Sequence, residues 1–163
     1  MINNIQLNEI FGVLELFDIN ELMHSLFMVY LNTIDESLIS LELLNETSDC
    51  FIIKGDEERI RQILINILNN SIKYTKKGSI KFGYILQSKA IHFFVEDTGI
   101  GINDEHLVKI FDRFHQVDDM AQGTGLGLSI CKAILTQMGG EIEVVSEPNK
   151  GSKFTFSIPY NRE

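Results

Sequence analysis

Arg59-x-x-Gln62-x-x-x-Asn66-x-x-x-Asn70-x-x-Lys73-Tyr74 is the stretch that decides the fold. At ~100° per residue, positions 59, 62, 66, 70 and 73 fall within roughly 40° of one line on a helix. Ile60, Ile63, Leu64, Ile67 and Leu68 project from the other side and supply a face to bury. Asp56 precedes them as an N-cap, and Glu57 and Glu58 place negative charge at the positive end of the helix dipole. A polar stripe can exist simply to face water. Exposed stripes usually use Glu and Lys, however, and each Asn costs about a few tenths of a kcal/mol in helix propensity. Two amides flanked by a guanidinium and an amine suit a hard cation and phosphate oxygens, so the stripe is a candidate site for magnesium and a triphosphate.

Working outward, Asp18-x-x-Glu21 reads as a capping box that opens a helix running to about Leu31, after a short strand over 13–17. Leu41 and Leu43 alternate with polar neighbours and Cys50 to Lys54 are apolar-rich, which predicts a hairpin ahead of the Asn helix. Two strands, about 79–86 and 90–96, follow it around Gln87-Ser88-Lys89. A loop-rich stretch from Asp97 to Thr124 contains a short helix near Glu105 to Phe111. Leu128, Cys131, Leu135 and Met138 mark one face of the next helix, which Gly139-Gly140 ends. Ile142 and Val144, then Phe154, Phe156 and Ile158, alternate as two closing strands around a turn at Pro148 to Gly151. The pattern predicts an α+β two-layer sandwich, a mixed and mostly antiparallel sheet with about three helices on one face.

Composition narrows the function. A chain of 163 residues, 44% hydrophobic and 23% charged, is the size of one domain with a sizeable core. A net charge of -9 argues against a nucleic-acid partner, and means that a bound polyphosphate needs local positive charge or a metal. Cys50 and Cys131 match no metal-ligand spacing and read as two reduced, packed thiols. Leu26 to Leu31 is too short for a membrane span and Met1 opens no signal-peptide pattern, so a soluble, cytoplasmic chain is expected.

Two glycine clusters carry chemistry. Asp97-Thr98-Gly99-Ile100-Gly101 follows a strand directly, where a carboxylate can point into a pocket and accept from a ligand amino group such as that of adenine; an ordinary Asp-Gly turn is the alternative. Gly123-Thr124-Gly125-Leu126-Gly127-Leu128 opens a helix, where glycines and the helix dipole favour an anion. Neither cluster has P-loop or Rossmann spacing.

In this order the motifs resemble the catalytic and ATP-binding domain of sensor histidine kinases, within the larger family (the Bergerat, or GHKL, ATP-binding fold) that includes type II topoisomerases and heat-shock chaperones. The likeness covers about residues 17–160, with 1–16 as a leading segment and 161–163 as a tail. Asn66, Asn70 and Lys73 match the N box, Asp97, Gly99 and Gly101 the first glycine box, and Phe111-Asp112-Arg113-Phe114 the F box. Gly123 to Gly127 match the second glycine box and Gly151-Ser152 the last.

The resemblance implies ATP or ADP and Mg²⁺ as ligands. Asn70 would hold the metal, and Asn66 would support the metal or phosphates. Lys73 would offset phosphate charge, Tyr74 would lie against the adenine ring, and Asp97 would accept the adenine amine. Gly99 would belong to the cofactor-binding set, Gly101 would allow close approach to the base, and Ile102 would contact it. Gly123, Thr124, Gly125, Leu126, Gly127 and Leu128 would wrap the phosphates, Arg113 would meet the γ-phosphate, and Ser152 would reach the adenine through water. Asn66, Lys73 and Arg113 are the implied catalytic residues.

Hydrolytic relatives carry Glu where this chain has Asn66. A neutral amide accepts no proton, so efficient ATP hydrolysis is not expected. The implied nucleophile is a histidine, but His24, His92, His106 and His115 lack the acidic neighbour and following Pro of the phosphoacceptor motif. The chain is therefore expected to begin just after a dimerisation and phosphoacceptor domain, with a response regulator or receiver domain downstream. A monomeric isolated chain and a homodimeric parent are expected, and an inner-membrane anchor on the parent stays open. The stretch His115 to Gln122 would be a mobile lid, Phe111 would pack inward, and Phe114 would either do so or dock the phosphoacceptor helices. Two other classes remain open: a serine kinase that restrains a sigma factor, and a nucleotide-sensing module without transfer activity.

Overall fold

The computed structural model describes residues 12–45, 49–87, 89–113 and 126–160. Strand β1 (Glu15–Asp18) runs into helix α1 (Ile19–Leu31), and β2 (Ile39–Asn45) and β3 (Ile52–Gly55) precede α2 (Glu57–Tyr74). Then come β4 (Gly78–Gln87), β5 (Ala90–Asp97), the short α3 (Asp104–Leu107), α4 (Gly127–Gln137), β6 (Glu141–Glu147) and β7 (Gly151–Pro159). Both expected N-caps form, Asp18 accepting from the N–H of Asn20 at 2.9 Å and Asp56 from that of Arg59 at 3.1 Å. α4 ends as its glycines demand, with Gly139 in the left-handed region at φ 71°.

The main sheet has the order β2-β4-β5-β7-β6, antiparallel throughout except for the parallel β2–β4 pair. Its inner face carries Ile80, Phe82 and Tyr84 of β4, Ile91, Phe93 and Val95 of β5, and Phe154, Phe156 and Ile158 of β7, all buried. The three long helices cover that face, and Ile60, Ile63, Leu64, Ile67 and Leu68 of α2 are each fully buried against it. Glu42, Lys81, Glu96 and Lys153 stand in register across the outer face with alternating sign. Ion pairs of 3.3 Å and 3.6 Å join Lys81 to Glu42 and Lys153 to Glu96, which keeps this face solvated. The α+β two-layer sandwich is thus present.

Two expectations need correction. The segments ahead of α2 do not form a hairpin with each other: β2 pairs in parallel with β4, while β3 pairs antiparallel with β1 in a separate two-stranded sheet. Period-2 alternation identifies a strand and its buried side but carries no information about its neighbour. Cys131 is a packed thiol, but Cys50 is exposed. Its thiol lies against the Asp18 carboxylate, whose hydrogen bond holds the Cys50 pKa above its ordinary value.

The β2–β4 pairing depends on Gly83. It lies opposite Leu44, and a side-chain carbon there would stand 1.7 Å from the Leu44 carbonyl oxygen. Backbone cannot swing aside as a flexible side chain can. Gly83→Ala is therefore expected to displace β2 and cost about 1–3 kcal/mol, read as a lower midpoint in urea unfolding.

Candidate functional site

Helix α2 crosses the inner face of the sheet, so its polar stripe runs from the β3 end toward the end of β5. The stripe divides in the fold. Arg59 at its head is held by Asp56, with Nε–Oδ2 at 3.0 Å, and by Gln137, whose Oε1 accepts from Nη1 at 2.9 Å. Arg59 thus braces α2 against Asp56 and α4, and Gln62 is simply exposed. Asn66, Asn70, Lys73 and Tyr74 lie further along. Asn66 and Asn70 are half-buried, and Lys73 is exposed with Nζ 5.2 Å from the Tyr74 ring centroid.

Past the last turn of α2 lies the first glycine cluster. The N–H of Ile100 donates to the Tyr74 carbonyl at 3.1 Å, and the N–H of Asn149 donates to the Ile100 carbonyl at 2.7 Å. The cluster is therefore clamped between α2 and the β6–β7 turn. Its glycines answer to that clamp: a side-chain carbon at Gly99 would stand 2.4 Å from the Tyr74 carbonyl oxygen. At Gly101, with φ +67°, it would stand 2.0 Å from that of Glu147.

Asp97 is buried at the end of β5, and one carboxylate oxygen accepts from the N–H of Gly99 at 2.9 Å. Burial raises its pKa above the ordinary value, against the opposing pull of the Gly99 N–H, the Ser71 hydroxyl and the Ser152 N–H. Two further polar groups lie here: Ser71 and Thr75 are only 1% and 2% exposed, and their hydroxyl oxygens lack a hydrogen-bond partner of normal geometry. Ser71 and Thr75 were not expected from the sequence. Their signal is adjacency, since Ser71 follows Asn70 and Thr75 follows Tyr74.

Ser152 sits in register with Asp97 and is buried, but its hydroxyl pairs with Ser146 at 2.9 Å. Ser146 also accepts from the N–H of Ile102 at 2.8 Å and donates to the Gly151 carbonyl at 2.8 Å. This serine, unmarked by any motif, ties the first glycine cluster to the last. Ile102 is buried beside it.

At the other end of the site Asn66 meets α4, its amide nitrogen donating to the Gly127 carbonyl at 3.3 Å and to Cys131 Sγ at 3.6 Å. No side chain caps the first turn of α4, whose N-cap is Leu126. A side-chain carbon at Gly127 would make only ordinary contacts of 3.8–3.9 Å with Asn66, so the protein's own packing does not require glycine there. Leu128 belongs to the core, not to the surface of the site. Gly123, Thr124 and Gly125 lie outside the described residues, as do Phe114 and the predicted lid, 115–122. Phe111 packs against the core as expected, with Lys132 Nζ 5.8 Å from its ring centroid, and Arg113 lies exposed in the turns that follow α3.

These residues fit a nucleotide with its metal. A buried carboxylate and the unpartnered Thr75 hydroxyl need donors and acceptors of the kind an adenine edge or its water supplies. An uncapped helix start with a glycine that packing does not demand suits phosphate. Asn70 and Asn66 offer hard neutral oxygens between the two. Among the described residues no cluster of three or more His, Cys, Asp or Glu could hold a metal, and no helix is long and apolar enough to cross a membrane.

Known proteins resemble the chain in both sequence and fold. Hybrid signal transduction histidine kinase B of Dictyostelium discoideum is 41% identical over 152 residues, which is 88% of this chain and 8% of that protein. ShkA, solved with AMPPNP, superposes with a TM-score of 0.83 at 29% identity, over 94% of this chain and 32% of that one. The catalytic domain of histidine kinase ThkA gives 0.78 at 31% identity, over 91% and 96%. ThkA in complex with the response regulator TrrA gives 0.75 at 28%, over 91% and 42%. The chain thus spans less than a tenth of the curated Dictyostelium relative and nearly all of an isolated kinase catalytic domain. Residues 55–162 match the model for histidine kinase-, DNA gyrase B- and HSP90-like ATPases, and the chain belongs to that family.

Proposed function

We propose that this chain is the nucleotide half of a sensor histidine kinase: it binds Mg²⁺-ATP and passes the γ-phosphoryl group to a histidine on a separate dimerisation domain of its parent. The observation that carries the reading is the buried Asp97 carboxylate with the buried hydroxyls of Ser71, which faces that carboxylate, and Thr75, a polar cluster suited to reading a base through hydrogen bonds. Asp97 accepts the adenine amine, Ile102 and Tyr74 contact the base, and Ser152 acts on the base only through its row-mate Asp97. Asn70 takes the metal, Lys73 offsets phosphate charge, and the start of α4 with Gly127 meets the phosphates. Arg113 is assigned to the γ-phosphate on its F-box position alone. Mg²⁺ held by Asn70 would supply positive charge to offset the charge that builds on the phosphates during transfer.

Asn66 favours transfer over hydrolysis. Its amide can orient a water or a nucleophile but cannot remove a proton, so ATP persists until the histidine arrives. The likeness to ThkA, itself solved with a response regulator, supports a response regulator or receiver domain as the next acceptor, and a homodimeric parent built through the histidine-bearing domain.

Incubating the chain with γ-labelled ATP, alone and with a histidine-bearing domain, tests this. Label is expected on the supplied domain alone, stable in base and labile in acid. Base-stable, acid-labile label on this chain by itself would overturn the division of labour, and acid-stable label on a serine of a folded partner would move the chain to the serine-kinase class.

A further inference from the structure

Asn66 is held in a way that the transfer reading does not by itself require. An amide has two unlike ends, a nitrogen that donates and an oxygen that accepts, and which end faces a ligand changes what it can do. Here the nitrogen is taken up by two acceptors on α4, the Gly127 carbonyl at 3.3 Å and the Cys131 sulfur at 3.6 Å. Cys131 is fully buried, and its own hydrogen points to the Ile63 carbonyl of α2, with Sγ at 3.9 Å from that oxygen. A thiol whose hydrogen is spent in this way can offer Asn66 only a lone pair. Asn66 Oδ1 stands 3.8 Å from where a side chain on Gly127 would begin, at the uncapped first turn of α4.

We propose that Cys131 is a positioning residue: tied to Ile63, its sulfur holds the Asn66 amide so that Oδ1, not the amide nitrogen, is presented to the phosphate side of the site. Asn66 then acts as an acceptor, for a water or for the N–H of an incoming imidazole, and does not donate to a phosphate oxygen. This rests on the transfer reading above for its consequence, though not for its geometry. Burial pushes the Cys131 thiol up to about 11, so the arrangement persists across the physiological pH range. The same contacts couple the metal-binding helix to α4, whose start follows the second glycine box. Neither motif contains Cys131.

Three forms of the chain test the proposal: wild type, Cys131→Val, which fills the space without a lone pair, and Cys131→Ser, which keeps a donor and an acceptor. In the nucleotide-free protein the Asn66 side-chain amide pair is followed by ¹⁵N–¹H NMR, identified by its loss in Asn66→Asp. Slow exchange is expected in wild type, faster exchange with a moved resonance in Cys131→Val, and restoration in Cys131→Ser. With ATP, Mg²⁺ and a histidine-bearing domain, Cys131→Val is expected to lower the transfer rate by about tenfold or more with ATP affinity unchanged, and Cys131→Ser to recover it. An Asn66 resonance indifferent to Cys131→Val, or a Cys131→Ser variant as impaired as Cys131→Val, overturns the proposal. Thermal melts set a temperature at which all three forms are folded. Failure of wild type to bind nucleotide would instead sink the functional reading, and the amide measurement would still decide the positioning role.

Discussion

Replacing Asp97 with Asn is expected to weaken ATP binding by about 10- to 100-fold while leaving the fold intact, the loss of a charged hydrogen bond at a buried site being worth about 1.5–3 kcal/mol. A carboxylate can accept on both oxygens, whereas an amide offers one oxygen and turns its nitrogen toward groups that also donate. At neutral pH the same change also removes a buried charge. The folded-state pKa of Asp97 is raised by burial, so the native protein holds this proton more tightly than the unfolded chain does. The Asp97 contribution to stability therefore drops as pH rises from the ordinary aspartate value of 3.8 through the raised folded value. The Asp97→Asn variant has no proton to lose at this position and escapes that cost. Thermal melts across this range should show the wild type losing stability relative to the variant as pH rises. Undiminished ATP affinity in Asp97→Asn would show the adenine assignment to be wrong.

Asn70→Ala should separate metal from base. With Asp97, Ser71 and Thr75 intact, binding of ATP without Mg²⁺ is expected to be nearly unchanged, while the gain in affinity on adding Mg²⁺ disappears. Transfer to a supplied histidine-bearing domain should fall by about 100-fold or more, roughly 3 kcal/mol in the barrier, because the phosphates lose the ion that neutralises them. The fold has little stake in this side chain, which is half-buried on a stripe whose buried neighbours are Ile67, Leu68 and Ser71. Titration of nucleotide with and without Mg²⁺ measures both arms. An Mg²⁺ effect that survives in Asn70→Ala would move the metal to another ligand.

Much of the fold was legible because its signals are local. The buried face of α2 follows from a 3.6-residue period, the caps at Asp18 and Asp56 from short polar side chains ahead of apolar runs, and the inner face of β7 from alternation at Phe154, Phe156 and Ile158. Strand pairing was not, because β2 and β3 have the same period and their choice of partner depends on distant edges. The separation of the stripe was hidden too: Arg59 and Asn66 share one helical line, yet Gln137 claims the first while Gly127 and Cys131 claim the second.

The glycines divide in a similar way. Gly99 and Gly101 looked like ligand-facing residues, but carbonyls of Tyr74 and Glu147 already exclude side chains there. Gly127 carries no such constraint, so the packing of the protein does not account for the missing side chain there. Ser146 had no legible signal, since its meaning lies in a register shared with Ser152 and Asp97.

By itself the sequence determined the sandwich class, the amphipathic α2 and the set of motifs that belong to an ATP-binding domain, because period, capping and spacing are written within a few residues. Only the tertiary structure decided which of those residues work together. Asp97 becomes a buried acceptor through contacts with Ser71, Gly99 and Ser152, and the orientation of Asn66 is settled by a thiol 65 residues away. Hydrogen bonds select one partner among many of equal chemistry, and distance in the folded chain, not in the sequence, makes that selection.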